Sequence, residues 1–171
     1  MKRLRLGILV LTAAMLAPGS AMGAPAVVIL VRHAEKEALP ADDPGLTPAG
    51  KQRAAELARV VATWKAAGAT VKALFASDAK RTQQTLAPLA TATLPVTQVK
   101  AADTAALVKK ILAVQGGVVV VAGHSNTVPA VIQALGGAAG ITIDDAEFSR
   151  LFVVTGAGGK AVVVAMRYGN P

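Results

Sequence analysis

The sequence predicts an α/β fold, a three-layer α/β/α sandwich around a mostly parallel sheet. Two observations carry this reading. Short apolar runs at 27–31 (VVILV), 71–76 (VKALFA) and 118–122 (VVVVA) look like strands buried on both faces rather than on one. Segments with helical spacing and helical punctuation separate them, and such alternation builds a parallel sheet covered on both sides.

In chain order, Val27–Val31 runs into Arg32-His33 and then a loop containing Asp42-Asp43-Pro44-Gly45. Thr47 is a good N-cap and Pro48 falls at the first helical position, so a helix starts there. Leu57, Val61 and Trp64 belong to its apolar stripe, and Gly68 is its stop. After the strand 71–76, a helix capped by Ser77 or Asp78 carries Arg81 in its first turn. A third short strand ends near Val99, and a helix follows from Asp103 to Val114. Gly116-Gly117 leads into Val118–Ala122, then Gly123-His124-Ser125-Asn126 and a helix from about Thr127 to Leu135. Phe148–Thr155 and Ala161–Arg167 form a closing strand pair around the turn Gly156-Ala157-Gly158-Gly159.

The first 23 residues stand apart from this pattern. Lys2, Arg3 and Arg5 precede the apolar run Leu6–Ala17 and a small-residue exit ending in Ala21-Met22-Gly23. This is the pattern of a secretory signal peptide cut after Gly23, which leaves residues 24–171 as one domain in the periplasm or outside the cell. The run is too short for the roughly 20 residues of a spanning helix, and no later stretch resembles one. Loss of those three cations takes the chain from 18 basic and 10 acidic residues to 15 and 10, a net of +5. The surplus suits anionic ligands. The basic residues are scattered and aromatics make up 3% of the chain, which argues against a nucleic-acid platform. The lack of cysteine excludes a disulfide scaffold, a thiol nucleophile and cysteine zinc sites.

Three strands therefore end in Arg32-His33, Ser77…Arg81 and Gly123-His124-Ser125-Asn126. Strand ends of an open α/β sheet lie along one edge, where ligands gather. The chain has two histidines, and both stand at these ends. Two guanidiniums and two imidazoles around one cavity call for an anion, and phosphate is the natural one. No run of acidic residues suits a two-histidine metal site, so no metal or other cofactor is expected.

The segments LVRHAEK, DPGLTPAGKQRA, FASDAKRTQQT and VVVVAGHSN, in this order, resemble the histidine phosphatase superfamily, with its phosphoglycerate mutase-like fold. The nearest likeness is to small secreted bacterial members that carry RHAEK. The resemblance implies that His33 is the nucleophile and forms a phosphohistidine that water hydrolyses. Arg32, Arg81 and His124 would complete the phosphate pocket, with Glu35, Ser125 and Asn126 as further substrate contacts. The general acid departs from the family's better-known patterns. The glutamate motif of the mutase branch is missing, and Ser125 stands where the acid-phosphatase branch has aspartate. Asp103 lies at about the right place for an acid, although its residue type and position equally suit a helix N-cap. Glu35 is the alternative acid. The expected activity is that of a metal-independent phosphomonoesterase acting on a phosphorylated small molecule or glycan, such as a sugar phosphate or lipopolysaccharide-core phosphate. The alternative is a non-catalytic phosphate- or glycan-binding module on the same fold. Specificity is expected to lie in the segments 37–46 and 136–147.

Overall fold

The computed structural model describes residues 24–169, so the segment expected to be a signal peptide lies outside the described residues. Strand β1 (Val27–Arg32) is buried on both faces, as its unbroken apolar run requires. It pairs in parallel with β4 (Val118–Gly123), which in turn pairs in parallel with β2 (Val71–Ser77), and β2 with β3 (Val96–Val99). On the other side β5 (Arg150–Thr155) runs antiparallel to β1, and β6 (Val162–Arg167) runs antiparallel to β5. The sheet order is β3-β2-β4-β1-β5-β6, a mixed and mostly parallel sheet.

Alternation along β1 divides the core in two. Val28 and Leu30 point to one face, where helix α3 (Thr104–Leu112) supplies Ile111 and helix α4 (Thr127–Ala134) supplies Val128, Val131 and Ile132. Ile29 and Val31 point to the other face, against Leu57 and Val61 of α1 (Pro48–Ala66) and Leu86 of α2 (Lys80–Leu86). The result is the expected three-layer sandwich. Trp64 packs partly buried on the second cluster, as core. None of the helices among the described residues is long and apolar enough to cross a membrane.

Thr47 caps α1 through Gly50 N–H, with Pro48 at the first position, as its sequence requires. The start of α2 differs from expectation. Its N-cap is Ala79, with no side-chain cap. Ser77 Oγ faces His124 and Thr82 instead, and Asp78 Oδ1 accepts from Ala101 N–H at 3.0 Å. The first amide of α2, on Lys80, is met by Asp43 Oδ1 at 2.8 Å, from the loop after β1. A long-range carboxylate thus replaces the local cap. The same loop is tied down by Leu46 N–H donating to Gln84 Oε1 at 2.7 Å.

Helix α1 approaches the chain just after His33 very closely. Thr47 N–H donates to Glu35 O at 3.0 Å, and a β-carbon at Gly50 would collide with that same carbonyl. Gly→Ala within a helix ordinarily stabilises by about 1 kcal/mol. Here overpacking reverses the sign, and Gly50→Ala is expected to cost about 1–3 kcal/mol. A lower denaturant midpoint at unchanged slope checks it.

Candidate active site

Two adjacent parallel strands end in the two histidines. The β1–β4 register places Arg32 opposite Gly123, and His33 N–H extends the ladder by donating to Gly123 O at 2.8 Å. His124 follows immediately, its own N–H donating to Thr127 Oγ1 at 2.8 Å. A side chain at Gly123 would strike that hydroxyl, so only glycine permits this tight entry into α4. The two imidazole centroids lie 5.4 Å apart, edge to face.

Each ring is held in a defined tautomer. His33 Nδ1 lies 2.8 Å from Ala34 O. A carbonyl only accepts, so Nδ1 carries the proton and Nε2 keeps its lone pair. Ala34 is itself anchored, since its N–H donates to Thr85 Oγ1 at 3.0 Å. For His124 the logic runs the other way. Arg81 Nη2 stands 3.4 Å from His124 Nδ1, and a guanidinium only donates. The proton of His124 is therefore on Nε2, which donates to Ser77 Oγ at 2.9 Å. Ser77 passes its own proton toward Thr82 Oγ1 at 2.8 Å, and Thr82 donates to Ala79 O at 2.7 Å.

Both imidazoles are neutral at pH 7. Burial lowers His33 to about 4, with the Ala34 hydrogen bond opposing it and Arg32, Arg81 and His124 lowering it further. Burial likewise lowers His124 to about 4, assisted by Arg81 and Arg32 and opposed by Asp78. A buried neutral imidazole with a fixed tautomer and a free ring nitrogen is a competent nucleophile.

The cavity at these strand ends has a volume of about 490 Å³, and its lining includes His33, His124, Arg81, Ser125, Asn126 and Lys36. Arg32 lies beside it, buried, with its Nη1 donating to Asp144 O at 2.7 Å and its guanidinium 4.4 Å over the Phe148 ring. The Nε atoms of Arg32 and Arg81 are buried without a protein acceptor.

The other predicted residues fall elsewhere. Asp103 caps α3, its carboxylate accepting from Ala106 N–H at 2.9 Å, while its neighbours Ala101 and Ala102 line the cavity. Glu35 is held by Arg53 in a two-pronged pair, at 2.7 Å from Nη2 and 2.9 Å from Nε. Burial acts to raise its pKa, but the Arg53 hydrogen bonds and charge prevail and leave it below the usual carboxylate range. With Arg53, Glu147, Phe148 and Arg167 it lines a separate cavity of about 350 Å³.

Sequence reasoning overlooked Lys36, although it stands in the same RHAEK stretch. It also overlooked Phe148, whose ring centroid is 5.9 Å from that of His33, and, although it named the segment 136–147 for specificity, the hold of Arg32 on the turn 144–147 within it. No sequence spacing relates residues over 100 positions apart to the first strand. Among the described residues no group of three or more His, Asp or Glu is placed to hold a metal ion.

Residues 28–103 match the histidine phosphatase superfamily (branch 1). The matched stretch holds Arg32, His33 and Arg81 and ends before His124. A protein ascribed as the phosphohistidine phosphatase SixA of Agrobacterium tumefaciens is similar in fold, with a TM-score of 0.60 at 21% identity over 86% of this chain and 99% of that one. The protein histidine phosphatase SixA, in complex with tungstate, has a TM-score of 0.56 at 19% identity over 82% and 96%. Phosphoserine phosphatase of Entamoeba histolytica, in complex with 3-phosphoglyceric acid, has a TM-score of 0.57 at 14% identity over 85% and 97%. No curated protein sequence matches the chain.

The depressed histidines make stability depend on pH. Between pH 6.5 and about 4 the unfolded chain binds protons at both sites while the folded chain does not, so stability rises with pH there and is lost on acidification. Each histidine contributes a slope of up to about 1.4 kcal/mol per pH unit. Unfolding midpoints measured across this window are expected to fall steadily as the pH is lowered, and less steeply in His124→Gln.

Proposed function

We propose that this protein belongs to the histidine phosphatase superfamily and hydrolyses phosphomonoesters through a phosphohistidine on Nε2 of His33, without a metal. The observation that carries the reading is the bare Nε2 of a buried, neutral His33 beside two guanidiniums with unpartnered N–H groups. Phosphoryl transfer depends mainly on positioning and on compensating the charge of the equatorial oxygens. Arg81 and Arg32 supply fixed positive charge, and Lys36 adds a mobile cation at the rim. A phosphate dianion facing His124 Nδ1 raises the proton affinity of that nitrogen, so that His124 becomes a donor in the complex. Attack by Nε2 forms the N–P bond and expels the alkoxide leaving group. Water then attacks phosphorus, and the N–P bond breaks to return neutral His33.

The basic start and apolar run of residues 1–23 support export, and with it a periplasmic substrate such as a sugar phosphate or lipopolysaccharide-core phosphate. The SixA neighbours are named for phosphohistidine substrates, whereas an exported enzyme meets phosphorylated sugars and glycans instead. The lysine and arginine charge about the cavity suits either a compact phosphosugar or a phosphorylated glycan end.

The test uses residues 24–171 with an aryl phosphate in EDTA at mildly acidic pH, quenched within milliseconds. Intact mass is expected to show one phosphoryl adduct on the wild type and none on His33→Ala, whose turnover is lost. Undiminished hydrolysis by His33→Ala would overturn the nucleophile. Phosphate or vanadate binding with neither adduct nor released phosphate would instead identify a binding module.

A further inference from the structure

We infer that Asp145, a residue of the turn between α4 and β5, is the proton donor to the leaving group. The inference rests on the phosphomonoesterase reading above.

The reaction leaves an alkoxide that needs a proton, and the carboxylates around the site differ sharply in what holds them. Asp103 caps α3, Glu35 is paired with Arg53, and Asp78 and Asp43 accept backbone N–H groups of Ala101 and Lys80. Each of those partners ties its carboxylate to the scaffold rather than to a neighbour of the two histidines. Asp145 differs. Its Oδ1 accepts from the hydroxyl of Ser125 at 3.0 Å and stands 3.5 Å from Arg32 Nη2, and its side chain is 90% exposed.

Those two contacts place it across the site. Ser125 directly follows His124 and lines the cavity, and Arg32 directly precedes His33. Asp145 therefore bridges the flanks of both histidines from a third direction. The turn that carries it is anchored, with Glu147 N–H donating to Asp144 O at 2.9 Å and Arg32 Nη1 donating to the same carbonyl. The backbone is fixed while the carboxylate remains accessible to a substrate. A phosphoryl group seated against Arg32 brings its leaving oxygen within reach of the Asp145 carboxyl.

The step balances. Nε2 of His33 bonds to phosphorus as the P–O ester bond breaks, and the electron pair moves to the leaving oxygen. That oxygen takes the Asp145 proton and departs as the alcohol. In the second half, Asp145 as carboxylate takes a proton from the attacking water, and the N–P bond breaks. Inorganic phosphate leaves, with His33 and the carboxylic acid restored. Ser125, by holding Asp145, does indirectly what an aspartate at position 125 would do directly.

The experiment compares an alkyl phosphate with 4-nitrophenyl phosphate, whose leaving group needs no acid. In Asp145→Asn the ratio of kcat/KM for the alkyl over the aryl ester is expected to fall by about 10²-fold or more, the size of a lost general acid. The aryl ester still forms the His33 adduct, and Asp145→Glu recovers part of the ratio. An unchanged ratio in a folded Asp145→Asn protein would overturn the inference, including the case in which both rates fall equally. Should that variant not fold, the wild type decides with a series of leaving groups. A shallow dependence of rate on leaving-group acidity supports an internal acid, and a steep one refutes it. A wild type that forms no adduct from the aryl ester refutes the phosphatase reading itself, which keeps the two failures apart.

Discussion

The active end of this molecule depends on one pairing, the parallel register of β1 with β4. Arg32 opposite Gly123 makes both strands end at the same level, and the bond from His33 N–H to Gly123 O extends the ladder one residue further. His33 and His124 emerge side by side as a consequence. A slip of one residue would turn each side chain to the opposite face of the sheet. The strand ends resist that slip, because a side chain in place of Gly123 would strike Thr127 Oγ1, while Val28 and Val119 face α3 and α4 and Val31 and Val120 face α1 and α2. Hydrophobic sorting of the core therefore sets the position of polar chemistry at its edge.

Burial then decides the charge state. Two imidazoles beside two guanidiniums would repel one another if protonated, and desolvation keeps both neutral. Their tautomers are opposite because their partners are. A backbone carbonyl claims the Nδ1 proton of His33, whereas the Ser77 hydroxyl takes the Nε2 proton of His124. The same residue type at two neighbouring strand ends thus presents a bare Nε2 in one case and an Nδ1 facing Arg81 in the other. The difference lies in atoms of residues 34 and 77.

Strands, helices and the pair of histidines were legible because each rests on local patterning. Unbroken apolar runs mark buried strands, Thr47-Pro48 marks a helix start, and a polar residue at the end of a buried strand marks a site. What escaped notice depends on contacts between distant segments. The cap of α2 read locally as Ser77 or Asp78, but both side chains are drawn to partners in other elements, and Asp43 reaches the helix from 37 residues away. Asp103 was legible both as an acid and as a cap, and the structure shows it capping α3. Lys36 was hidden in plain view within a motif dominated by Arg32 and His33.

The turn 144–147 shows how topology alone can deliver such a distant group. Strands β1 to β4 all run the same way, so their C-terminal ends share one edge. Strand β5 is antiparallel to β1, with Val31 opposite Leu151, and its N-terminal end therefore lies at that same edge. Whatever precedes β5 must pass over the strand ends that hold the histidines. Arg32 fastens it there through the carbonyls of Asp144 and Glu147, and Phe148 packs under the guanidinium and against His33. A reversal of strand direction late in the chain thus brings a carboxylate to a site built from its first strand. It does so in a segment whose sequence carries no sign of the histidines it covers.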